Sequence, residues 1–145
     1  MGNCIRNCIT DCKLRNCDDN VEPITFTFTR CKCVAVYDGD TCKVVGIRRG
    51  EKVKVTIRLH GIDSPEIRTK DPDEKVAAIK ARDVLRTRIL NKMINVRFVC
   101  ADKYHGREVA ILSDREGEIN SWMISSNHAV PYDGGKKSKF GERVE

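Results

Sequence analysis

Long apolar runs are missing from this sequence of 145 residues. Its uninterrupted apolar stretches reach only a few residues, whereas crossing a bilayer as a helix takes about 20. The N-terminus also lacks the apolar segment that follows charged residues in a secretory signal peptide. We therefore expect a soluble, intracellular protein without a transmembrane segment.

The sequence also lacks the cysteine pattern of common zinc sites. The first four cysteines are spaced C-x3-C-x3-C-x4-C, with no CxxC pair and no nearby histidine, which disfavours zinc. Such thiols could instead be reduced, acylated or, in an oxidising compartment, joined in disulfides. Six of the eight cysteines fall within the first 33 residues: Cys4, Cys8, Cys12, Cys17, Cys31 and Cys33.

The start of the chain allows two interpretations. A myristoylated Gly2 beside a palmitoylated Cys4 would supply the two lipid signals that stable membrane anchoring needs. Arg6 stands where the acceptor pattern favours Ser or Thr, so we favour an unmodified tail and leave acylation open. The sequence predicts a flexible, cysteine-rich appendage over residues 1–22 and one domain over residues 23–145.

The net positive charge of the chain is compatible with binding to a polyanionic partner. Twenty-seven Lys and Arg exceed 21 Asp and Glu, which gives a formal net charge of +6. A basic protein attracts nucleic acid or an anionic membrane. A modest excess of this kind is also common on ordinary solvated surfaces, so charge alone selects no function.

Alternating apolar residues and turn signals predict a mainly β chain. Ile24–Phe28 has the period of a half-buried strand that leads into the core. A meander follows, in which the acidic DGD turn and an Arg49–Gly50 hairpin connect valine-rich and isoleucine-rich strands. The predicted strands of this meander are Cys31–Tyr37, Cys42–Arg48 and Lys52–Ile62.

After this meander, the spacing of apolar residues changes from the period of a strand to that of a helix. Asp71 suits an N-cap and Pro72 suits the first helical position, and we expect this helix to run to about Lys92. Its predicted buried stripe is Ala78, Ala81, Leu85 and Ile89.

Two more strands, Asn95–Cys100 and Val109–Leu112, and a short helix over Ile119–Ser125 complete the predicted elements. Five core strands with one long and one short helix indicate an α+β domain. A small β-barrel of the OB-fold type fits this order, although the period alone leaves other α+β arrangements open.

Three short stretches hold chemically useful residues: DGDT at Asp38–Thr41, IRLHGIDSPE at Ile57–Glu66 and DKYHGR at Asp102–Arg107. Together they supply carboxylates able to hold a hard cation, a further carboxylate, and two arginines. This is the equipment for cutting a phosphodiester, because guanidinium groups bind phosphate oxygens bidentately. Each stretch alone would be unconvincing, since Asp and Gly are ordinary turn formers.

In order and approximate spacing, the three stretches together resemble the staphylococcal nuclease (thermonuclease) family over about residues 31–132. The resemblance implies an OB-fold barrel and a catalytic Ca²⁺ held by the side chains of Asp40 and Asp63 and by the backbone carbonyl of Ser64. It further implies that Glu66 acts as general base, directly or by positioning a water.

The same resemblance implies the residues that hold the substrate. Arg58 and Arg107 match the family's phosphate-clamping arginines. Lys103 and Tyr104 match positions near a terminal phosphate, and Tyr132 matches an aromatic residue near the base.

Two features depart from the family pattern. His105 is an extra residue in the loop that carries Arg107. The sequence after Phe140 is too short for the family's long C-terminal helix, so we expect either lower stability or a substitute cover, for example the N-terminal segment.

The resemblance implies a Ca²⁺-dependent endonuclease that cuts unpaired DNA or RNA and leaves 3′-phosphate ends, and we expect it to act as a monomer. The alternative is an inactive or weakly active OB-fold module that only binds nucleic acid. In that alternative the N-terminus could tether the module to a membrane.

Overall fold

The structure is a computed structural model that describes residues 30–103, 106–137 and 139–142. The predicted appendage and the predicted strand Ile24–Phe28 lie outside the described residues, so both stay predictions, as does the domain boundary at residue 23. In chain order the elements are β1 (Cys31–Val36), β2 (Thr41–Arg48), β3 (Glu51–Leu59), β4 (Ile62–Asp63), α1 (Pro72–Ile89), β5 (Met93–Ala101), β6 (Arg107–Asp114), β7 (Gly117–Glu118), α2 (Ile119–Ser125), β8 (Val130–Pro131) and a 3-10 turn, Phe140–Glu142.

Five of the strands close into a barrel. They are ordered β3-β2-β1-β5-β6, and β6 pairs back onto β3 in parallel, with Thr56 opposite Arg107. All the other pairs in this barrel are antiparallel. The closed five-stranded barrel with two helices confirms the predicted OB-fold of the α+β class.

The barrel interior is filled by alternate residues of these strands. Ile57 and Leu59 of β3, Val44 of β2 and Leu112 of β6 are buried in one apolar cluster. Their neighbours along each strand point outward because side chains alternate across a strand. This alternation places Arg58 on the outer face of the barrel, between two core residues.

Three cysteines belong to this core. Cys31, Cys33 and Cys42 are buried as free thiols, whereas Cys100 is exposed. Burial raises the pKa of Cys31 to about 11. All three thiols belong to the buried apolar cluster, so they pack as small side chains of the barrel core.

Helix α1 begins as predicted and ends earlier than predicted. The Asp71 carboxylate accepts the N–H groups of Asp73 and Glu74 at 2.9 and 3.3 Å, and Pro72 follows the cap. The predicted end near Lys92 is wrong, because α1 ends at Ile89. Asn91 adopts a φ of 60° and donates its N–H to the Cys33 carbonyl of β1, which takes the chain out of the helix.

The predicted buried stripe of α1 is confirmed, since Ala78, Ala81, Leu85 and Ile89 are all fully buried. The stripe covers the barrel, and the basic side chains of the helix lie mainly on its other faces. Within the described ranges, no helix is both long enough and apolar enough to cross a bilayer.

One long predicted strand is divided in two. The prediction extended it to Ile62, but β3 ends at Leu59 and pairing resumes at β4. Gly61, with a φ of 76°, forms the turn between them. The turn brings Asp63 to β4, which pairs with β8 near Val130.

Asn120 ties α2 to the barrel. Its side-chain amide donates to the carbonyls of His60 and Ala110 at 2.9 and 3.1 Å, and its oxygen accepts the N–H of Leu112 at 3.0 Å. The residue is buried, and these bonds satisfy a polar group that would otherwise destabilise the fold.

An ion pair joins the end of α1 to the end of β6. Arg88 binds Asp114 through two hydrogen bonds of 2.8 Å, with side chains only 8% and 19% exposed, and its guanidinium lies 4.3 Å from the Trp122 ring centre. The hydrogen bond from Arg88 lowers the pKa of Asp114. The paired hydrogen bonds, the partial burial and the cation–π contact make this ion pair stronger than a typical surface pair.

We expect Asp114→Asn to lower the free energy of unfolding by about 1.5–3 kcal/mol at pH 7. Because the pKa of Asp114 is lower in the folded state, its stabilisation is present above the unfolded-state pKa of about 3.9 and is lost as pH falls through the folded-state value. Urea denaturation at pH 7 and at acidic pH measures both. The matched control is Asp83→Asn, which removes a solvent-exposed pair with Arg82; an equal loss in both variants would contradict the prediction.

Candidate active site

The acidic turn between β1 and β2 is held by its own hydrogen bonds. Asp38 accepts the N–H of Asp40 at 3.1 Å, and Asp40 accepts the hydroxyl of Thr41 at 3.0 Å. The second oxygen of Asp40 accepts the backbone N–H of Ser64 at 3.0 Å. Burial, followed by repulsion from Asp40, raises the pKa of Asp38 to about 6.

Gly39 lets this turn pack tightly. A Cβ atom at that position would lie 2.7 Å from the Cβ of Ser64 and 2.9 Å from the Cβ of Ala81 on α1. Any larger residue would have to push the turn away from both. Helix α1 therefore helps to fix Asp40 against the segment that begins with Asp63.

Arg58 lies at the centre of the acidic residues. Its Nη1 atom lies 3.3 Å from Asp40 Oδ2, and its Nη2 atom lies 3.4 Å from Asp63 Oδ1. The guanidinium also donates to the Ile62 carbonyl at 3.3 Å and lies 5.5 Å from the centre of the Tyr132 ring. Burial acts to lower the pKa of Arg58, but Asp40 and Asp63 outweigh it, and the pKa is raised.

A lysine that the sequence reasoning missed bridges two of the carboxylates. Lys137 Nζ lies 2.8 Å from both Asp63 Oδ1 and Glu66 Oε1. The side chain of Asp63 is 2% exposed, whereas that of Glu66 is 54% exposed and faces solvent. Burial lowers the pKa of Lys137, but its bonds to Asp63 and Glu66 outweigh this and raise it.

The backbone of Glu66 is fixed from α1. Its N–H donates to the carboxylate of Glu74 at 3.2 Å, and Glu74 itself is buried. The sequence reasoning used Glu74 only as part of a helix start. The structure shows that it also positions the loop that carries the predicted general base.

Arg107 enters the site from β6. It opposes Thr56 in the parallel pairing with β3, so it lies close to Arg58 on the outer face of the barrel. Its Nε atom contacts Asp102 Oδ2 at 2.5 Å, and the backbone N–H of Asp102 donates to the Arg107 carbonyl at 3.0 Å. The sequence reasoning did not predict this contact between Asp102 and Arg107.

These side chains surround a cavity of about 420 Å³. Six predicted site residues line it: Asp40, Arg58, Glu66, Lys103, Arg107 and Tyr132. Asp63 lines the adjoining pocket together with Tyr132 and Lys137, and Ser64 lies beside it in the chain. Tyr104 and the inserted His105 lie outside the described residues.

A larger groove, of about 1290 Å³, lies between α1 and β5 and contains none of the predicted site residues. Its walls include Val76, Ile79 and Met93. The smaller cavity is the candidate site, because it is the one where carboxylates and arginines converge.

The donor set at Asp40 and Asp63 suits a hard cation. Both buried carboxylates contact Arg58, and the N–H of Ser64 binds Asp40, so all three residues converge in one place. In the part of the chain that the structure describes, no three His, Cys, Asp or Glu residues form a metal-binding group. The two buried carboxylates are nevertheless ligands of the type that Ca²⁺ takes in proteins, where water commonly completes its coordination.

Comparison with known protein families identifies the family of this chain. The sequence model described as staphylococcal nuclease homologue matches residues 56–143. The chain belongs to the staphylococcal nuclease family. The family match confirms the resemblance predicted from the sequence and contains every predicted site residue except Asp40, which precedes the matched range.

Membership of the staphylococcal nuclease family supports a nuclease-like or nucleic-acid-binding function. No match was found among curated proteins. Family membership alone does not assign a role to any one residue, so the roles predicted for the site residues stay predictions.

Proposed function

We propose that the chain is a Ca²⁺-dependent endonuclease that hydrolyses phosphodiester bonds in unpaired DNA, RNA or both and leaves 3′-phosphate ends. The observation that carries this proposal is the position of Arg58. It contacts Asp40 and Asp63 at once and shares a cavity with Glu66 and Arg107. The residues to which we assign the cation, the proton transfer and the phosphate are thereby next to one another.

Each residue then has a distinct role. Asp40, Asp63 and the Ser64 carbonyl would hold Ca²⁺, which when bound polarises a phosphoryl oxygen and stabilises negative charge. Glu66 accepts a proton from water as the water oxygen attacks phosphorus. The bond from phosphorus to the 5′ oxygen breaks, that oxygen takes up a proton from solvent water as it leaves, and Glu66 later returns its proton to solvent.

The two arginines stabilise the charge that grows on the phosphoryl oxygens. A guanidinium carries five N–H donors in a planar fork, so binding a carboxylate with one edge is compatible with binding a phosphate with another. Lys103 and Tyr104 would hold a neighbouring phosphate, and Tyr132 would contact a base. Stacking on an aromatic ring discriminates little between bases, so we expect weak sequence preference.

A second candidate is nucleic-acid binding without turnover. The observation that favours it is Lys137, because an ammonium group that contacts both Asp63 and Glu66 competes with a cation and with a proton for these carboxylates. In this case the cleft would hold a strand by its phosphates, as binding modules of the OB-fold do.

Removing Ca²⁺ is expected to separate the two candidates. Addition of EGTA should reduce cleavage of single-stranded DNA and RNA to background, and added Ca²⁺ should restore it. Asp40→Asn and Asp63→Asn should each weaken Ca²⁺ binding in a calorimetric titration, because each removes a negatively charged ligand. Asp83→Asn on the exposed face of α1 is the matched control.

Strand binding without cleavage at any Ca²⁺ concentration would instead support the second candidate. The ends of the products identify the broken bond, since a 3′-phosphate blocks extension by a polymerase until a phosphatase removes it. Mass spectrometry of the N-terminus tests acylation, and light scattering tests the expected monomer.

A further inference from the structure

The outer face of the β2–β3 hairpin continues the candidate site away from Arg58. Alternate residues of a strand share a face, so Lys52, Lys54 and Thr56 point the same way as Arg58. The intervening residues Val53, Val55, Ile57 and Leu59 pack toward the core instead. Strand β3 thus presents polar side chains outward from Lys52 to Arg58.

Strand β2 adds to the same face. Directly opposed residues of paired strands lie on one side of a sheet, and Lys43 opposes Thr56. Arg107 of β6 opposes Thr56 from the other side. Lys43, Lys54 and Lys52, here called the lysine stripe, therefore lie on the same outer face as both arginines of the site.

An exposed aromatic ring stands beside the lysine stripe. Tyr37 is 47% exposed, and Lys43 Nζ lies 5.3 Å from the centre of its ring. Tyr37 immediately precedes the acidic turn, and its N–H donates to the Thr41 carbonyl at 2.9 Å, which fixes its backbone next to the cleft. Ile47, which opposes Lys52, is 59% exposed and adds apolar surface farther along the face.

The balance of charge on this hairpin is positive. Glu51, at its tip, opposes Arg48, and Arg49 follows. This leaves the lysine stripe as an excess of positive charge next to the cavity. Lys52 and Lys54 are both exposed. An anion approaching the cleft along this face therefore meets ammonium groups before it meets Arg107 and Arg58.

We propose that the lysine stripe and Tyr37 form a second binding surface for single-stranded nucleic acid, which holds the part of the substrate that flanks the scissile phosphate. Successive positions of the stripe are about 6.6–6.8 Å apart along β3, a step similar to that between adjacent phosphates of an extended strand. The lysines contact phosphates, and Tyr37 stacks on a base. This inference rests on the proposed nuclease function, because it extends the same cleft.

The combination of charge and an exposed ring distinguishes this surface from an ordinary solvated face. Positive charge that follows the backbone, together with an aromatic platform for the bases, is the usual design of proteins that bind single strands without sequence preference. The exposed lysines of α1, Lys75 and Lys80, have neither an aligned strand nor the two site arginines beside them. They provide a control with equal charge.

The inference is tested by measuring the binding of single strands under conditions in which no cleavage occurs. In EGTA, fluorescence anisotropy measures the affinity of the whole chain for labelled single strands of about 16 and about 4 nucleotides over a range of salt concentrations. For the longer strand, Lys52→Gln with Lys54→Gln should weaken binding several-fold and reduce the slope of log affinity against log salt by about 1.4, or 0.7 per phosphate contact. The shorter strand, which the cleft alone can hold, should change little.

Tyr37 is tested separately. Tyr37→Ala should weaken binding of the longer strand about tenfold, and Tyr37→Phe, which keeps the ring, should restore most of the affinity. Lys75→Gln with Lys80→Gln removes the same charge from α1 and should leave the slope nearly unchanged. Thermal melting confirms that every variant is folded.

Two results would overturn the inference: an equal change of slope in both double variants, or an equal loss of affinity for short and long strands. Failure of the proposed function has a different signature. In that case the wild-type chain does not cleave in Ca²⁺, while the binding data in EGTA still report on the surface. The two failures are therefore distinguishable in one set of proteins.

Discussion

Glu66→Gln is expected to lower kcat for cleavage of single-stranded DNA by about 10²–10⁴-fold, the usual contribution of general base catalysis. The amide keeps the size of the side chain and can still accept a hydrogen bond from Lys137, but it cannot take a proton from water. Steady-state kinetics in saturating Ca²⁺ measure the effect. Substrate affinity should change much less than kcat, because the base acts on the attacking water.

The structure predicts that this variant folds normally. The Glu66 side chain is half exposed, and the backbone contact that fixes its loop, from its N–H to Glu74, does not involve the altered group. Glu51→Gln, at the exposed tip of the hairpin, is the matched control and should retain full activity. A Glu66→Gln enzyme with a nearly unchanged kcat would exclude Glu66 as the base.

Arg58→Lys should lower kcat by about 10²–10³-fold, the typical loss when one preorganised donor to a transition state is removed. Lysine preserves the positive charge between Asp40 and Asp63, so the buried carboxylates stay compensated. It lacks the planar fork that can bind these carboxylates and a phosphoryl oxygen together. The loss therefore measures guanidinium geometry rather than charge.

The control for this prediction is Arg86→Lys, at an exposed position of α1. Both variants should melt at temperatures close to that of the wild type, and Ca²⁺ titrations should show that the cation site survives in Arg58→Lys. If Arg58→Lys cleaved at the wild-type rate with intact Ca²⁺ binding, Arg58 would have only a structural role between the two aspartates.

Local sequence signals predicted the elements well because local chemistry decides them. The Asp71 and Pro72 start of α1, the Arg49–Gly50 hairpin and the limits of α2 all appear where the sequence placed them. The end of α1 was predicted too late because it depends on the bond from Asn91 to the Cys33 carbonyl of β1. No periodicity within α1 reveals that bond.

The same distinction applies to the site. Arg58, Asp63 and Glu66 were found because they share one short motif, and Asp40 was found through the turn that precedes β2. Lys137 was missed because it lies 71 positions after Glu66, and the second lysine of a Lys136–Lys137 pair has no local signature of a site residue. Its role depends on the path of the chain after β8.

Asp102 and Asn120 were missed for a related reason. Asp102 stood in a quoted motif but was valued only as part of the loop, whereas the structure pairs it with Arg107. Asn120 resembles any polar residue in a short amphipathic helix, and only the closed barrel brings the carbonyls of His60 and Ala110 to it. The contacts of Asp102 and Asn120 therefore depend on the tertiary structure and not on the local sequence.

The cavity is assembled from widely separated parts of the chain, from Asp38 near β1 to Lys137 after β8. A chain still emerging from the ribosome has neither the closing contact of β6 with β3 nor the segment that carries Tyr132. The activity that we propose would therefore begin only when synthesis of the barrel is nearly complete.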